Sequence, residues 1–477
     1  MSRNDTATEA ETFTVPSKKL GKSVRFSLGH LVRLLWVRRQ LSRRDKWTRN
    51  TLLQHQTDAL KELRAHAYAG SPFYQRFHAG LFDTPLQQLP VLTKKILMEH
   101  WNEAVTDQSL KLDEVREFIE GADAPRMFRN EYVVSTTSGS TGLKGVFAFN
   151  RDEWIWGVAS HGRATTWAGA RIGPFHRLRM ALVSSTKSWC KSLLVGASVD
   201  TAILPTLRLD STEPLPVIVD RLNAFQPDIL VAYAETANAL ALQQVRQVLR
   251  ISPRMVFASS EVFTESARKR IGSAWGSEPF NAYAATETAL IAADCAHHHM
   301  HVAEDLIIAE VVDNDNQPVP RGTYGAKVLV TVLFSRTVPL IRYELSDRIA
   351  FADLPTSCEC GKPFAVLAGI QGRVEDTIFM DGTDGTPVAI KPDIFHDVLE
   401  PAPVDGWQVV QESATTIRIS IVGPQHGYNE RDIAEKMRLR LTEQGAANAV
   451  VQILAVEKLQ QSLTGKTPLV QALKRSV

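Results

Sequence analysis

Residues 135–146, STTSGSTGLKGV, bring together the side chains that phosphate chemistry uses. Thr136, Thr137, Ser138, Ser140 and Thr141 are interleaved with Gly139, Gly142 and Gly145, and Lys144 follows within the run. Glycines let backbone N–H groups approach and surround an anion, hydroxyls donate further hydrogen bonds, and an ammonium adds a compact positive charge. Such a segment can cradle a triphosphate, although serine and glycine clusters also make ordinary loops. It is not a Walker loop, because the glycine spacing differs and no Gly-Lys-Ser/Thr ending follows.

A second concentration of chemistry lies in DCAHHHMH, with Cys295, His297, His298, His299 and His301, and in CECG, with Cys358 and Cys360. Three thiols and one imidazole make the tetrahedral soft-donor set that zinc favours, and buried free cysteines are the plain alternative. The one-residue spacing in CECG is tighter than the usual two-residue knuckle. Four protein ligands leave no open position for substrate, so an ion held there would be structural.

These groups are carried by 477 residues, long enough for about two to four domains. Lys plus Arg (54) nearly balances Asp plus Glu (52), which gives no reason to expect nucleic acid as a partner. Four cysteines are too few for a disulfide scaffold, and no apolar run is long enough to span a bilayer. With no secretory signal pattern at the N-terminus, the expected location is the cytoplasm. Residues 17–45 surround the apolar cluster Leu31, Val32, Leu34, Leu35 and Trp36 with Lys and Arg; a basic helix packing its apolar side on the domain is expected rather than contact with acidic lipid.

The spacing of Leu53, Leu60, Leu63 and Ala67 predicts a helix over residues 50–69, after a polar tail at 1–15. From about 180, apolar runs (MALVSS, DILVAY at 228, RMVFAS at 254) alternate with helical spacing, which predicts strand–helix–strand units and an α/β fold. One of the helices follows Thr236 with Leu240, Val245 and Val248 inward; Thr264 caps another that runs toward Ile271. AKVLVTVL (326–333) and TIRISIV (416–422) read as strands. GIQGRVED, between them, marks a boundary near 372, dividing a large domain (16–371, helical at its start) from a small one (372–477).

NAYAATE (281–287), RYELSD (342–347), GRVED (372–376) and LTGK (463–466) follow the glycine-rich loop in that order over about 330 residues. Together they resemble the adenylate-forming superfamily and, within it, the phenylacetate-coenzyme A ligase branch, which includes capsular-polysaccharide and coenzyme-adenylating relatives. HAYAGSPFYQRF and LPVLTKK resemble that branch too. The resemblance implies a large N-terminal domain of mixed sheets and helices with a small mobile C-terminal α+β domain. It implies ATP held by Thr137, Ser138, Gly139, Ser140, Thr141, Gly142 and Lys144, with Tyr283, Asp347 and Arg373 at the nucleoside. Thr286 would bond the α-phosphate and Glu287 would recruit Mg²⁺, a hard cation that takes oxygen ligands.

Lys466 of LTGK would stabilise negative charge as a carboxylate attacks the α-phosphate, and Glu375 would serve as hinge. The pair Met300-His301 resembles the family's zinc-ligand position, which assigns His301 beside Cys295, Cys358 and Cys360, with His299 the alternative. The implied reaction is ATP-dependent activation of an organic acid, aryl by family weighting, then transfer to a thiol, coenzyme A. An adenylyltransferase or amide-forming relative is the alternative. Pocket positions by resemblance are Tyr233, Ala234, Ser259, Ser260, Glu261, Tyr283, Ala284 and Ala285. A nucleotide-binding protein without turnover would be expected to lack Lys466 or Glu287, and neither is missing; no protein-kinase phrase is present.

Overall fold

The computed structural model describes residues 23–137, 143–173, 176–353 and 358–473. The chain begins with helices α1 (Leu28–Arg44), α2 (Arg49–Gly70), α3 (Pro72–Phe77), α4 (Lys94–Glu99), α5 (Trp101–Ala104) and α6 (Leu112–Glu120). Ser27 and Thr48 cap α1 and α2 by accepting backbone N–H bonds at their starts. On α2 the inward residues are Leu52, Leu63 and Ala67, whereas Leu53, expected inside, is exposed. The apolar cluster of α1 also divides. Leu34, Val37 and Leu41 are buried, but Val32, Leu35 and Trp36 face outward, so only part of the expected apolar side packs on the domain.

Strands β1 (Val133–Thr136) and β2 (Val146–Phe149) pair antiparallel across the glycine-rich segment, of which residues 138–142 lie outside the described residues. Helix α7 (Arg151–Trp167) follows. Then come β3 (Met180–Ser184), α8 (Lys191–Val199), β4 (Thr206–Asp210), α9 (Leu215–Phe225), β5 (Ile229–Tyr233), α10 (Ala234–Val245), β6 (Met255–Ser259), α11 (Glu265–Trp275) and β7 (Phe280–Ala285). The strands among these are parallel, in the order β4-β3-β5-β6-β7, the strand–helix–strand reading of the sequence. Thr264 caps α11 as expected, accepting from Ala267 N at 3.2 Å. Helix α10 turns Leu240, Ala237 and Ala241 inward, while Val245, its last residue, and Val248 beyond it are exposed.

The sheet continues antiparallel through β8 (Ala289–Asp294) and β9 (Met300–Val302). After β10 (Ile307–Val312), β11 (Lys327–Val332) and β12 (Tyr343–Leu345), which form their own small sheet, β13 (Asp347–Phe351) and β14 (Val366–Arg373) complete the nine strands. GIQGRVED is therefore half strand. Strand β14 runs to Arg373, paired with Asp347, and one turn at 374–376 follows.

A separate cluster of buried residues runs from Ile378 to Val470. It is built from β15 (Ile378–Asp381), β16 (Pro387–Ile390), α12 (Pro392–Leu399), β17 (Val404–Gln411), β18 (Thr416–Pro424), α13 (Glu430–Glu443), β19 (Val450–Ala455) and β20 (Val470–Gln471). Ile417, Ile419 and Ile421 alternate on β18 and are fully buried, each worth about 1.5–3 kcal/mol of burial. Among the described residues no helix is long and apolar enough to cross a membrane.

Candidate active site

The parallel strands end in a cavity of about 770 Å³, the place where open α/β sheets bind ligands, outside the carboxyl ends of their strands. Tyr233, Ser259 and Ala285 bring β5, β6 and β7 to its wall, and Thr286 and Glu287 follow β7 into it. Asp347 and Arg373 are cross-strand partners at the ends of β13 and β14, and they enter the same cavity. Arg373 Nε lies 3.2 Å from Asp347 Oδ1, and the Tyr283 hydroxyl donates to Asp347 Oδ2 at 2.9 Å. Tyr283 is thus behind Asp347, orienting it, rather than on the cavity wall. Glu287 is 5% exposed, and this burial pushes its carboxyl pKa up despite the nearby Lys94 and Arg373.

Lys466 reaches this cavity from the far end of the chain. Its Nζ stands 5.7 Å from the centre of the Tyr233 ring. The loop that carries it docks closely: a Cβ at Gly465, whose φ is +76°, would lie 2.0 Å from Ser211 Oγ. Glycine is required there for both the positive φ and the approach. Gln461 Nε2 donates to Ser211 O at 3.3 Å, and Thr467 N donates to the Glu261 carboxylate. Burial lowers the Lys466 pKa, opposed by Glu261 and Asp347. Residues as much as 179 positions apart in sequence, Glu287, Asp347 and Lys466, therefore share one space.

Of the other pocket positions, Ser260 and Ala284 line the cavity; Ser260 does so at φ +66°, a sparsely populated conformation for a non-glycine. Ala234 and Glu261 are not on its wall. Glu261 instead accepts from Glu235 N at 3.0 Å and from Thr467 N, and burial pushes its carboxyl pKa up to about 7. Thr136, Thr137 and Leu143 line the cavity beside the glycine-rich segment. The hairpin is pinched by Gly145 N donating to Thr137 Oγ1 at 2.9 Å. Lys144 Nζ is 5.7 Å from the Trp189 ring centre. Ser138, Gly139, Ser140, Thr141 and Gly142 lie outside the described residues.

Sequence reasoning missed Lys191 and His161. Lys191, the first residue of α8, is buried on the cavity wall, donates to Thr286 O at 2.9 Å and sits 4.3 Å from the Phe149 ring centre. Desolvation pushes its pKa down to about 7, against the pull of Glu287. The neighbouring His161 of α7 has a buried Nε2 without a protein partner, and burial with the Lys191 charge keeps its ring neutral, with a pKa near 3. The only sequence signal was a lysine opening the otherwise apolar run KSLLVGASV.

The cysteines and histidines converge elsewhere. One donor atom from each of Cys295, His301, Cys358 and Cys360 lies within 4.8 Å of all the others. Cys295 Sγ and Cys358 Sγ are 3.7 Å apart, close to the ~3.8 Å edge of a tetrahedron with Zn–S bonds of about 2.3 Å. His301 Nε2 is 3.2 Å from Cys360 Sγ, while its Nδ1 donates to Phe364 O at 3.0 Å, which leaves the Nε2 lone pair for an ion. His299 is close to Cys358 Sγ at 3.1 Å but stands at the exposed edge.

No protein-family model matches the sequence, and no curated protein does either. Solved structures do match. The crystal structure of 2-hydroxyisobutyryl-CoA ligase in the postadenylation state in complex with R3-HIB-AMP is 19% identical, covers 91% of this chain and 92% of its own, and gives a TM-score of 0.69. The same ligase in complex with 2-HIB-AMP and CoA in the thioesterification state is 19% identical, covers 90% and 92%, and gives 0.57. Along 91% of its length this chain has the fold of 2-hydroxyisobutyryl-CoA ligase, the kind of fold that the resemblance of its motifs implies.

Proposed function

We propose that the chain activates an organic carboxylic acid with ATP and passes the acyl group to coenzyme A. The observation that carries this is Lys466 in one cavity with Thr286, Glu287, Asp347 and Arg373. In the first half-reaction a carboxylate oxygen attacks the α-phosphorus, the bond to the bridging oxygen breaks and pyrophosphate leaves with that electron pair. Lys466 stabilises the charge that develops there, an interaction worth most in a desolvated site. Asp347, fixed by Tyr283 and Arg373, accepts hydrogen bonds from the ribose hydroxyls, and Arg373 contacts the nucleotide. Thr137 to Gly142, with Lys144, form the phosphate loop, and Thr286 donates to the α-phosphate. Lys191 attracts the substrate carboxylate to the end of the cavity beside Thr286.

The buried carboxylate of Glu287 is the kind of oxygen donor Mg²⁺ takes, and the ion would neutralise phosphate charge there. Cys295, His301, Cys358 and Cys360 would hold a structural Zn²⁺. Residues 372–477 act as a mobile domain turning at Glu375, which exchanges the Lys466 face for a thiol entrance in the second half-reaction. The higher TM-score with the postadenylation state than with the thioesterification state supports this placement of Lys466 in the first half. Ala284 and Ala285 stand beside the reacting end, where the resemblance would place an aryl group.

The test is pyrophosphate release from ATP and Mg²⁺ over a panel of acids, with and without coenzyme A. Acid-dependent release followed by thioester formation is expected. Acid-dependent release that coenzyme A does not accelerate would select the alternative, an adenylyltransferase or amide-forming enzyme. ATP binding with no release would overturn adenylation.

A further inference from the structure

The cavity does not stop where a ring beside Ala284 would end. Beyond the reacting end, one face of four adjacent strands continues to line it at alternate positions: Met180 and Leu182 on β3, Ile229 and Val231 below Tyr233 on β5, Phe257 on β6 and Ala282 on β7. Alternation places these side chains on one face. Their sheet neighbours Ala181, Val183, Leu230 and Ala232 point the other way, into the core. Met180, Leu182 and Val231 are only half-buried and line the cavity, whereas Ile229 and Phe257 are buried, with Met180, Val231 and Ala282 packed beside them in one apolar cluster. Ile229 is four residues before Tyr233, about 13 Å along the strand.

The opposite wall has the same length and polarity. On α8, Lys191, Val195 and Val199 are spaced i, i+4, i+8 and all line the cavity, so this face leads from the reacting end about 12 Å away from it. Its one ammonium and the free His161 nitrogen are at the Thr286 end. At Gly196 an added Cβ would come 3.0 Å from Leu182 Cδ2, so α8 packs directly on β3 at that point, and both residues line the cavity. The channel emerges under α1, where Leu28, Leu31, Val32 and Leu35 form a helical face at i, i+3, i+4, i+7. Leu28 is 79% exposed and Leu35 63%, and they continue the apolar wall to the surface.

We infer that the acid this enzyme takes is an unbranched aliphatic acid, its carboxylate at Lys191 and Thr286 and its chain threaded between α8 and the β3–β5–β6 face toward α1. A 12–13 Å channel holds about ten carbons in extended form, given carbon–carbon bonds near 1.5 Å. Longer chains continue past Leu28 and Leu35. This deepens the adenylation reading and rests on it, replacing the aryl group by a chain.

The experiment combines kinetics and binding on the full chain. The value of kcat/KM for pyrophosphate release is measured for straight-chain acids from butanoate to tetradecanoate, with benzoate and phenylacetate alongside. It is expected to rise about fourfold per methylene, the factor set by burying one CH₂, and to level off near ten carbons. Val195→Trp, one helical turn from Lys191, is expected to reduce the decanoate-to-butanoate ratio at least tenfold; because it is a ratio within one protein, partial misfolding does not mimic it. Direct binding of decanoate by calorimetry separates the two readings. Binding without release from any acid keeps the channel and removes adenylation. Release with aryl acids, flat in chain length and without decanoate binding, keeps adenylation and overturns the channel.

Discussion

The two ends of the β7–β8 hairpin hold two kinds of convergence. At the turn, Thr286 and Glu287 share the cavity with Asp347, Arg373 and Lys466, and Lys191 donates to Thr286 O. At the other end of β8, the donor atoms of Cys295, His301, Cys358 and Cys360 lie within 4.8 Å of one another. The first set mixes opposite charges: Arg373 and Asp347 pair with each other, while desolvation pushes Glu287 up and Lys466 and Lys191 down. Groups held this way gain when a substrate supplies the missing charge. The second set satisfies its members with one another around one point, which suits an ion that fastens β9 and the β13–β14 turn together. Reactivity here follows from charges desolvated in an open cavity, not from the number of donors.

That contrast breaks most sharply at Lys466. Lys466→Ala is expected to reduce adenylation about 10²–10³-fold while the melting temperature stays within a degree or two, measured by pyrophosphate release and calorimetry. A variant that adenylates normally would place the charge stabilisation elsewhere.

Cys358→Ser should do the reverse. Loss of bound zinc, read by elemental analysis of the purified protein, should accompany destabilisation by about 3 kcal/mol or more, with turnover at low temperature largely kept. Protein that carries no zinc as purified, or a variant as stable as the parent, would leave the four donors as three free thiols beside an imidazole.

What could be read ahead of the structure follows the same division. Strands at 180, 228 and 254 were legible because buried parallel strands need unbroken apolar runs. Thr286, Glu287, Asp347 and Lys466 stood out by their order along the chain. The inward faces of α1 and α10 were not legible, since only tertiary packing separates the exposed Leu35 from the buried Leu34, or the exposed Val245 from the buried Leu240. Lys191 was hidden for a related reason: a lysine at a helix start is ordinary in sequence, and only burial against Thr286 makes it chemical.

Lys191 sharpens the comparison within the open site. Its pKa near 7 means that the charged form prevails below neutrality, so kcat/KM for the acid should fall as pH rises through about 7. Lys191→Met should remove that limb and raise the KM for the acid about tenfold, with the KM for ATP little changed. The sign for stability is separate. Between pH 7 and 10.5 the unfolded lysine is protonated and the folded one is not, so the parent gains stability with rising pH over that range, and the variant should not.

The smallest effect is expected at Glu261, which touches the reaction only through Thr467 N and the position of Lys466. Its carboxyl is raised from 4.5 to about 7 by burial, with Glu235 adding to the shift and Lys466 opposing it. Between those values the folded state binds more protons than the unfolded one, so stability falls as pH rises from about 4.5 to 7. Glu261→Gln removes the titration and keeps one oxygen acceptor, so the melting temperature should lose part of its slope between pH 5 and 7 while adenylation drops only a few-fold. A slope equal to the parent's would show that Glu261 is ionised throughout. A loss of rate as large as that of Lys466→Ala would mean that the docking of the 461–467 loop, rather than the lysine charge alone, decides whether the open end of the hairpin reacts.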